Sequence, residues 1–83
     1  MSEDQLYNRL KDMRALRGVT QADLANAAGV SRKTINTVEN RVFIPSTVLA
    51  LKLARALDCP VSELFALDPF PPPPESAENG GST

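Results

Sequence analysis

The chain has 83 residues, one cysteine, no histidine and a formal net charge of −1. A chain this short buries one modest core, the lone Cys59 excludes an internal disulfide framework, and the missing histidine removes the usual side chain of zinc and proton-transfer chemistry. No apolar run is long enough to span a bilayer, and Met1-Ser2-Glu3-Asp4 lacks the basic start and apolar stretch of a signal peptide, so a reduced cytoplasm is the expected setting.

Apolar spacing and cap residues predict an all-α chain of five helices. Helix 1 is expected from about Asp4 to Arg17, with Leu6, Leu10, Met13 and Leu16 as one apolar stripe and Gly18 closing it. Helix 2 opens at Thr20, whose hydroxyl can accept a first-turn amide, and stops at Gly29, where the left-handed conformation costs glycine nothing. Ser31 caps helix 3 in the same way. Leu24, Ala25 and Ala28 make the inner face of one helix of this pair, and Ile35 and Val38 that of the other. The connection Arg41-Val42-Phe43-Ile44-Pro45 follows. Pro45 disfavours helix at Ile44, and Ser46 caps a fourth helix to about Leu57. Pro60 opens a last short helix to about Ala66. The expected core is Leu10, Met13, Leu24, Ala25, Val30, Ile35, Val38, Leu49, Leu53, Ala54, Leu57 and Leu64. Residues 1–68 therefore read as the folded domain and 69–83 as a tail, extended through Pro69-Phe70-Pro71-Pro72-Pro73-Pro74 and too polar and glycine-rich to order itself from Glu75 to Thr83.

Arg32, Lys33, Asn36 and Thr37 are left facing outward on helix 3, and side chains of this kind can bond base edges or phosphates in a DNA major groove. The charge along the chain agrees. Residues 1–55 hold all nine lysines and arginines against five acids, a net of +4, while residues 56–83 hold no base and five acids, a net of −5. A basic front half can release counterions from DNA while the acidic remainder points away.

The ordered series Thr20-Gln21, Leu24-Ala25, Gly29-Val30-Ser31, Ile35, Glu39-Asn40, Pro45-Ser46, Leu53-Ala54, Leu57 and Glu63-Leu64-Phe65 resembles the helix-turn-helix family of phage Cro and repressor proteins, the XRE-type regulators. The resemblance runs from about Leu6 to Phe65. It implies a compact five-helix repressor-like domain with the helix-turn-helix at helices 2 and 3, and a recognition helix that enters the groove by its first turns. Ser31, Arg32, Lys33 and Thr37 are then the base-reading candidates, and Gln21, Asn36, Asn40 and Arg41 the phosphate contacts; Thr34 fits either a contact or plain surface. For each basic side chain the alternative is an ordinary solvated charge. The family also places an acid at Glu39, paired with an arginine of helix 1, and Arg14 is the matching residue. The alternative is that Glu39 is merely an exposed acid.

Three features depart from the family pattern. Arg41 stands where many relatives have glycine, so Asn40 or Arg41 must supply the turn conformation. Thr47 replaces a larger apolar residue, and the Pro-rich end has no counterpart. The helix 4 string also resembles regulators with a ligand-binding domain downstream; no such sensor is expected here.

The resulting expectation is a sequence-specific double-stranded DNA-binding protein of the cytoplasm, associated with a prokaryotic or phage nucleoid, acting as a transcriptional repressor and as a homodimer on a two-fold operator. It is not an enzyme, since no nucleophile–base pair or metal cluster is present, and no cofactor, metal or small-molecule ligand is evident. Within the same fold the alternative is a restriction-modification controller or an autoregulating antitoxin. From another class the alternative is a protein-interaction module that has lost DNA binding. For the dimer interface the expected residues are Phe65, Leu67 and Phe70, because the carboxyl-terminal end carries more apolar area than one small core absorbs.

Overall fold

The computed structural model describes residues 5–71. In chain order the elements are β1 (Tyr7–Asn8), α1 (Leu10–Arg17), α2 (Gln21–Ala28), α3 (Arg32–Glu39), α4 (Thr47–Ala56), α5 (Val61–Leu64) and β2 (Phe65–Ala66). The fold is mainly helical, with its five helices closed by a two-residue antiparallel ribbon that pairs Tyr7 with Ala66 and Asn8 with Phe65.

Local chemistry sets the helix boundaries. Thr20 and Asp23 form a reciprocal capping box at α2, the Thr20 hydroxyl accepting the Asp23 amide at 3.0 Å and the Asp23 carboxylate accepting the Thr20 amide at 3.2 Å. Ser31 accepts the Thr34 amide at α3, and Ser46 the Leu49 amide at α4. At the other end, α1 to α4 all finish on a left-handed residue with two reversed backbone bonds: Gly18 (φ 71°), Gly29 (φ 73°), Arg41 (φ 60°) and Asp58 (φ 55°). The conformation that glycine would have supplied after α3 is thus taken by Arg41. A side chain in that region costs about 1 kcal/mol or more, and two of the four ends bear this cost.

Two boundaries differ from the sequence reading. Helix 1 begins at Leu10 rather than near Asp4, which itself lies outside the described residues. The Asn8 side-chain oxygen accepts the Leu10 amide at 3.0 Å, its amide donates to the Val38 carbonyl at 2.9 Å, and the Arg9 amide bonds the Leu64 carbonyl at 2.9 Å. These bonds commit Tyr7 to Arg9 to the ribbon. The last helix likewise stops at Leu64, not Ala66, because Phe65 and Ala66 are extended against β1.

The expected apolar stripe of α1 is also corrected. Leu6 precedes the helix and Leu16 is 70% exposed. Two successive steps of three residues drift off the inner face, leaving Leu16 about 120° round the helix from Leu10. Arg14 and Arg17 continue the inner face instead, and Arg17 donates to the Leu57 and Asp58 carbonyls at 2.9 and 3.0 Å, tying α1 to the end of α4.

All five helices contribute to the core. Leu10, Leu24, Ala25, Ala28, Ile35, Val38, Leu53, Ala54, Leu57 and Leu64 are buried, with Met13, Val30, Leu49 and Phe65 packed half-buried at its edge. Ala25 and Ala28 let α2 approach its neighbours closely, and Ile35 and Val38 turn the opposite side of α3 to solvent.

Candidate nucleic-acid interface

The inner end of α3 is held by charge. Glu39 is 5% exposed at its side chain and Arg14 15%, and they meet in a two-pronged ion pair with Nε to Oε2 at 2.5 Å and Nη2 to Oε1 at 3.3 Å. Arg14 Nη1 also donates to the Val19 carbonyl at 3.0 Å, so the pair joins α1, the α1–α2 turn and α3. Two charges this far from water need their remaining bonding positions filled. Gln21 fills one of them, donating from Nε2 to Glu39 Oε1 at 3.0 Å.

Gln21 then links the buried pair to the surface. Its Nε2 is also 3.3 Å from Asn36 Oδ1, its Oε1 accepts from Arg32 Nε at 3.4 Å, and Asn40 Nδ2 donates to the same Asn36 oxygen at 3.3 Å. The chain Arg32, Gln21, Asn36 and Asn40 runs along the outer side of α2 and α3 and fixes their relative position. Here the amide of Gln21 is occupied by protein partners, while the first-turn backbone amides of α2 have no acceptor inside their own helix.

The exposed side of α3 carries Arg32, Lys33 and Asn36, with Thr37 half-buried. Thr37 Oγ1 donates back to the Thr34 carbonyl at 2.9 Å, which leaves the methyl group as the part of its side chain free to meet an apolar surface. Ser31 Oγ is engaged as the helix cap and lies 3.0 Å from Thr34 Oγ1. Arg41 sits past the end of α3 with its guanidinium 4.6 Å from the Tyr7 ring centroid. Of the carboxyl-terminal apolar residues, Phe65 lies in β2 against the core, Leu67 is 62% exposed, and Phe70 lies under the Arg9 guanidinium at 4.3 Å.

Sequence reasoning missed part of this region. Val42 and Phe43 both donate their backbone amides to the Thr37 carbonyl, at 2.9 and 3.2 Å, and with Lys33, Thr34 and Thr37 they line a shallow cleft beside α3. Their only sequence signal is an apolar run before Pro45. Arg14 and Arg17, counted in the basic front half, spend their donors within the protein, on Glu39 and on backbone carbonyls. Among the described residues no cluster of metal-ligating side chains occurs and no helix is long and apolar enough to cross a membrane. Burial raises the Cys59 thiol above its ordinary pKa, the reverse of what a reactive cysteine needs.

A capped helix, a glycine corner and a second helix with an anchored inner side and a polar outer side define a helix-turn-helix domain. Comparison with known proteins agrees: residues 10–64 match the helix-turn-helix family HTH_3. The chain is 43% identical over 60 residues to an uncharacterised HTH-type transcriptional regulator of Methanocaldococcus jannaschii, covering 72% of this chain and 91% of that one. It is 34% identical over 63 residues to the HTH-type regulator YgzD of Bacillus subtilis, covering 76% and 96%. Among solved structures it is similar to the restriction-modification controller protein C.AhdI of Aeromonas hydrophila, with a TM-score of 0.64 and 38% identity over 66% of this chain and 83% of that one. The chain belongs to the XRE-type helix-turn-helix family of transcriptional regulators, a non-enzymatic, DNA-binding family.

Proposed function

We propose that this regulator is a sequence-specific repressor that binds a two-fold operator in double-stranded DNA as a homodimer, in the cytoplasm. The observation that carries the reading is the division of α3 into a buried, ion-paired inner side and an outer side whose Arg32 and Lys33 are exposed. Arg32 and Lys33 read guanine O6 and N7, Ser31 reads a base edge at the entrance of the helix, and the Thr37 methyl meets a thymine methyl. Gln21 keeps its bond to Glu39 and turns its other Nε2 hydrogen from Asn36 to a phosphate that the free amides at the start of α2 also hold; Asn36, Asn40 and Arg41 hold the backbone on the other side of the groove. The Gln21–Glu39 bond supports this, because it fixes the start of α2 against the recognition helix before DNA arrives. The likeness to C.AhdI favours a second reading, a controller of a restriction-modification operon, that uses the same contacts.

Selection of bound duplexes from a random pool tests both. A recovered motif with two inverted half-sites about one helical turn apart is expected. A motif without symmetry would overturn the two-fold operator, and the absence of any enriched motif would overturn sequence-specific reading.

A further inference from the structure

We infer that a second copy of this chain docks on the outer face of α4 and on the connection that leads into it, through Ile44, Val48 and Leu51 with Val42 and Phe43 beside them. The inference rests on the homodimer proposed above and assigns its surface.

The residues stand out by exposure. Val42 is 76% exposed, Ile44 67%, Val48 62%, Leu51 52% and Phe43 46%, in a chain whose other aliphatic side chains largely enter the core. Val48 and Leu51, three residues apart, share the face of α4 turned away from the buried Leu53, Ala54 and Leu57. The helix is therefore apolar on two sides, as a helix packed between its own core and a neighbour must be.

Area argues for a second copy as the occupant. Together the five side chains expose on the order of 500 Å², close to the apolar share of the ~800 Å² that each partner brings to a standard interface. Among the described residues the carboxyl-terminal end offers less, since Phe65 and Phe70 are partly buried against their own chain and Leu67 is the large apolar side chain exposed there. Aliphatic side chains without fixed donors or acceptors are also self-complementary, as a two-fold contact requires. Position supplies the link to function. The patch starts where Val42 and Phe43 bond the Thr37 carbonyl, so it is continuous with the far end of α3 from the Ser31 cap. A two-fold axis there sets two recognition helices side by side, the arrangement that successive major grooves on one face of a duplex demand.

Sedimentation equilibrium of the full chain tests the surface without DNA. Wild type and Leu67→Glu are expected at twice the chain mass and the Val48→Glu/Leu51→Glu double variant at the chain mass, with helical circular dichroism kept because both positions are exposed. Cross-linking guards against a folding defect: Leu51→Cys in a Cys59→Ser background should oxidise to a covalent dimer, whereas Leu67→Cys in the same background should not. A monomeric wild type, a dimeric double variant, or cross-linking at position 67 but not 51 would overturn the assignment. A mixed-sequence duplex of about 30 base pairs separates this from the DNA-binding reading. The folded double variant should still bind it at low salt, while losing about a hundredfold or more in affinity for the operator recovered by selection. Equal operator affinity for wild type and double variant would also overturn the assignment.

Discussion

The two sides of α3 differ in how many of their bonding groups the protein itself uses. On the inner side Ile35 and Val38 are buried and both Glu39 oxygens are filled by Arg14 and Gln21. On the outer side Arg32, Lys33 and Asn36 reach solvent, and only Arg32 and Asn36 lean on Gln21. The difference teaches that rigidity and recognition are separate properties of one eight-residue helix. Substitutions on its two sides should therefore fail in different ways.

The largest effect is expected inside. Glu39→Gln leaves the largely buried Arg14 without its counter-charge, and losing one partner of such a pair costs about 3–5 kcal/mol, which in a domain this small lowers the melting temperature by roughly 15 °C or more. A thermal melt near wild type would show that the inner side is not held by charge. Next come Arg32→Ala and Lys33→Ala on the outer side. Each should lose about 1–3 kcal/mol of discrimination at particular operator positions, read by binding to single-base operator variants, with the melting temperature unchanged. Gln21→Ala should instead weaken every sequence alike. If all three variants reduced binding uniformly, the division between reading and positioning residues would be wrong. The smallest effect separates two helix ends. Asp58→Gly relieves a left-handed side chain and should stabilise the fold by about 1 kcal/mol without touching DNA affinity. Arg41→Gly relieves the same conformation but removes the stack on Tyr7 and the proposed phosphate contact, so it should gain less stability and bind DNA more weakly. Equal behaviour of the two variants in melting and binding would place Arg41 away from DNA.

The legible parts of the molecule were those with local causes. Thr20, Gly29, Ser31 and Ser46 act on amides a few residues away, so their roles can be read without the fold. The ribbon had no such signal: strands of two residues carry no alternation, and Tyr7-Asn8 meets Phe65-Ala66 only after the whole domain has closed. Leu16 misled because it extends an i, i+3 series that rotates off the core, and Arg17 entered the sequence reading only as a unit of front-half charge though its partners are two carbonyls at the end of α4. For the candidate interface, spacing along α3 separated outward from inward residues. The hydrogen bonds that occupy Gln21, and the placing of Val42 and Phe43 beside Thr37, depend on how α2 and the connection pack against α3 and could not be read from spacing.

The central claim is that α3 presents its charged outer side to a DNA duplex, and the salt dependence of binding tests it most directly. Affinity for an operator duplex should fall steeply and linearly on logarithmic axes as salt rises, and loss of the proposed phosphate contact in Arg41→Ala should make the slope shallower by about one counterion. An affinity flat across the range from low to moderate salt, or a slope of zero in both proteins, would contradict the account.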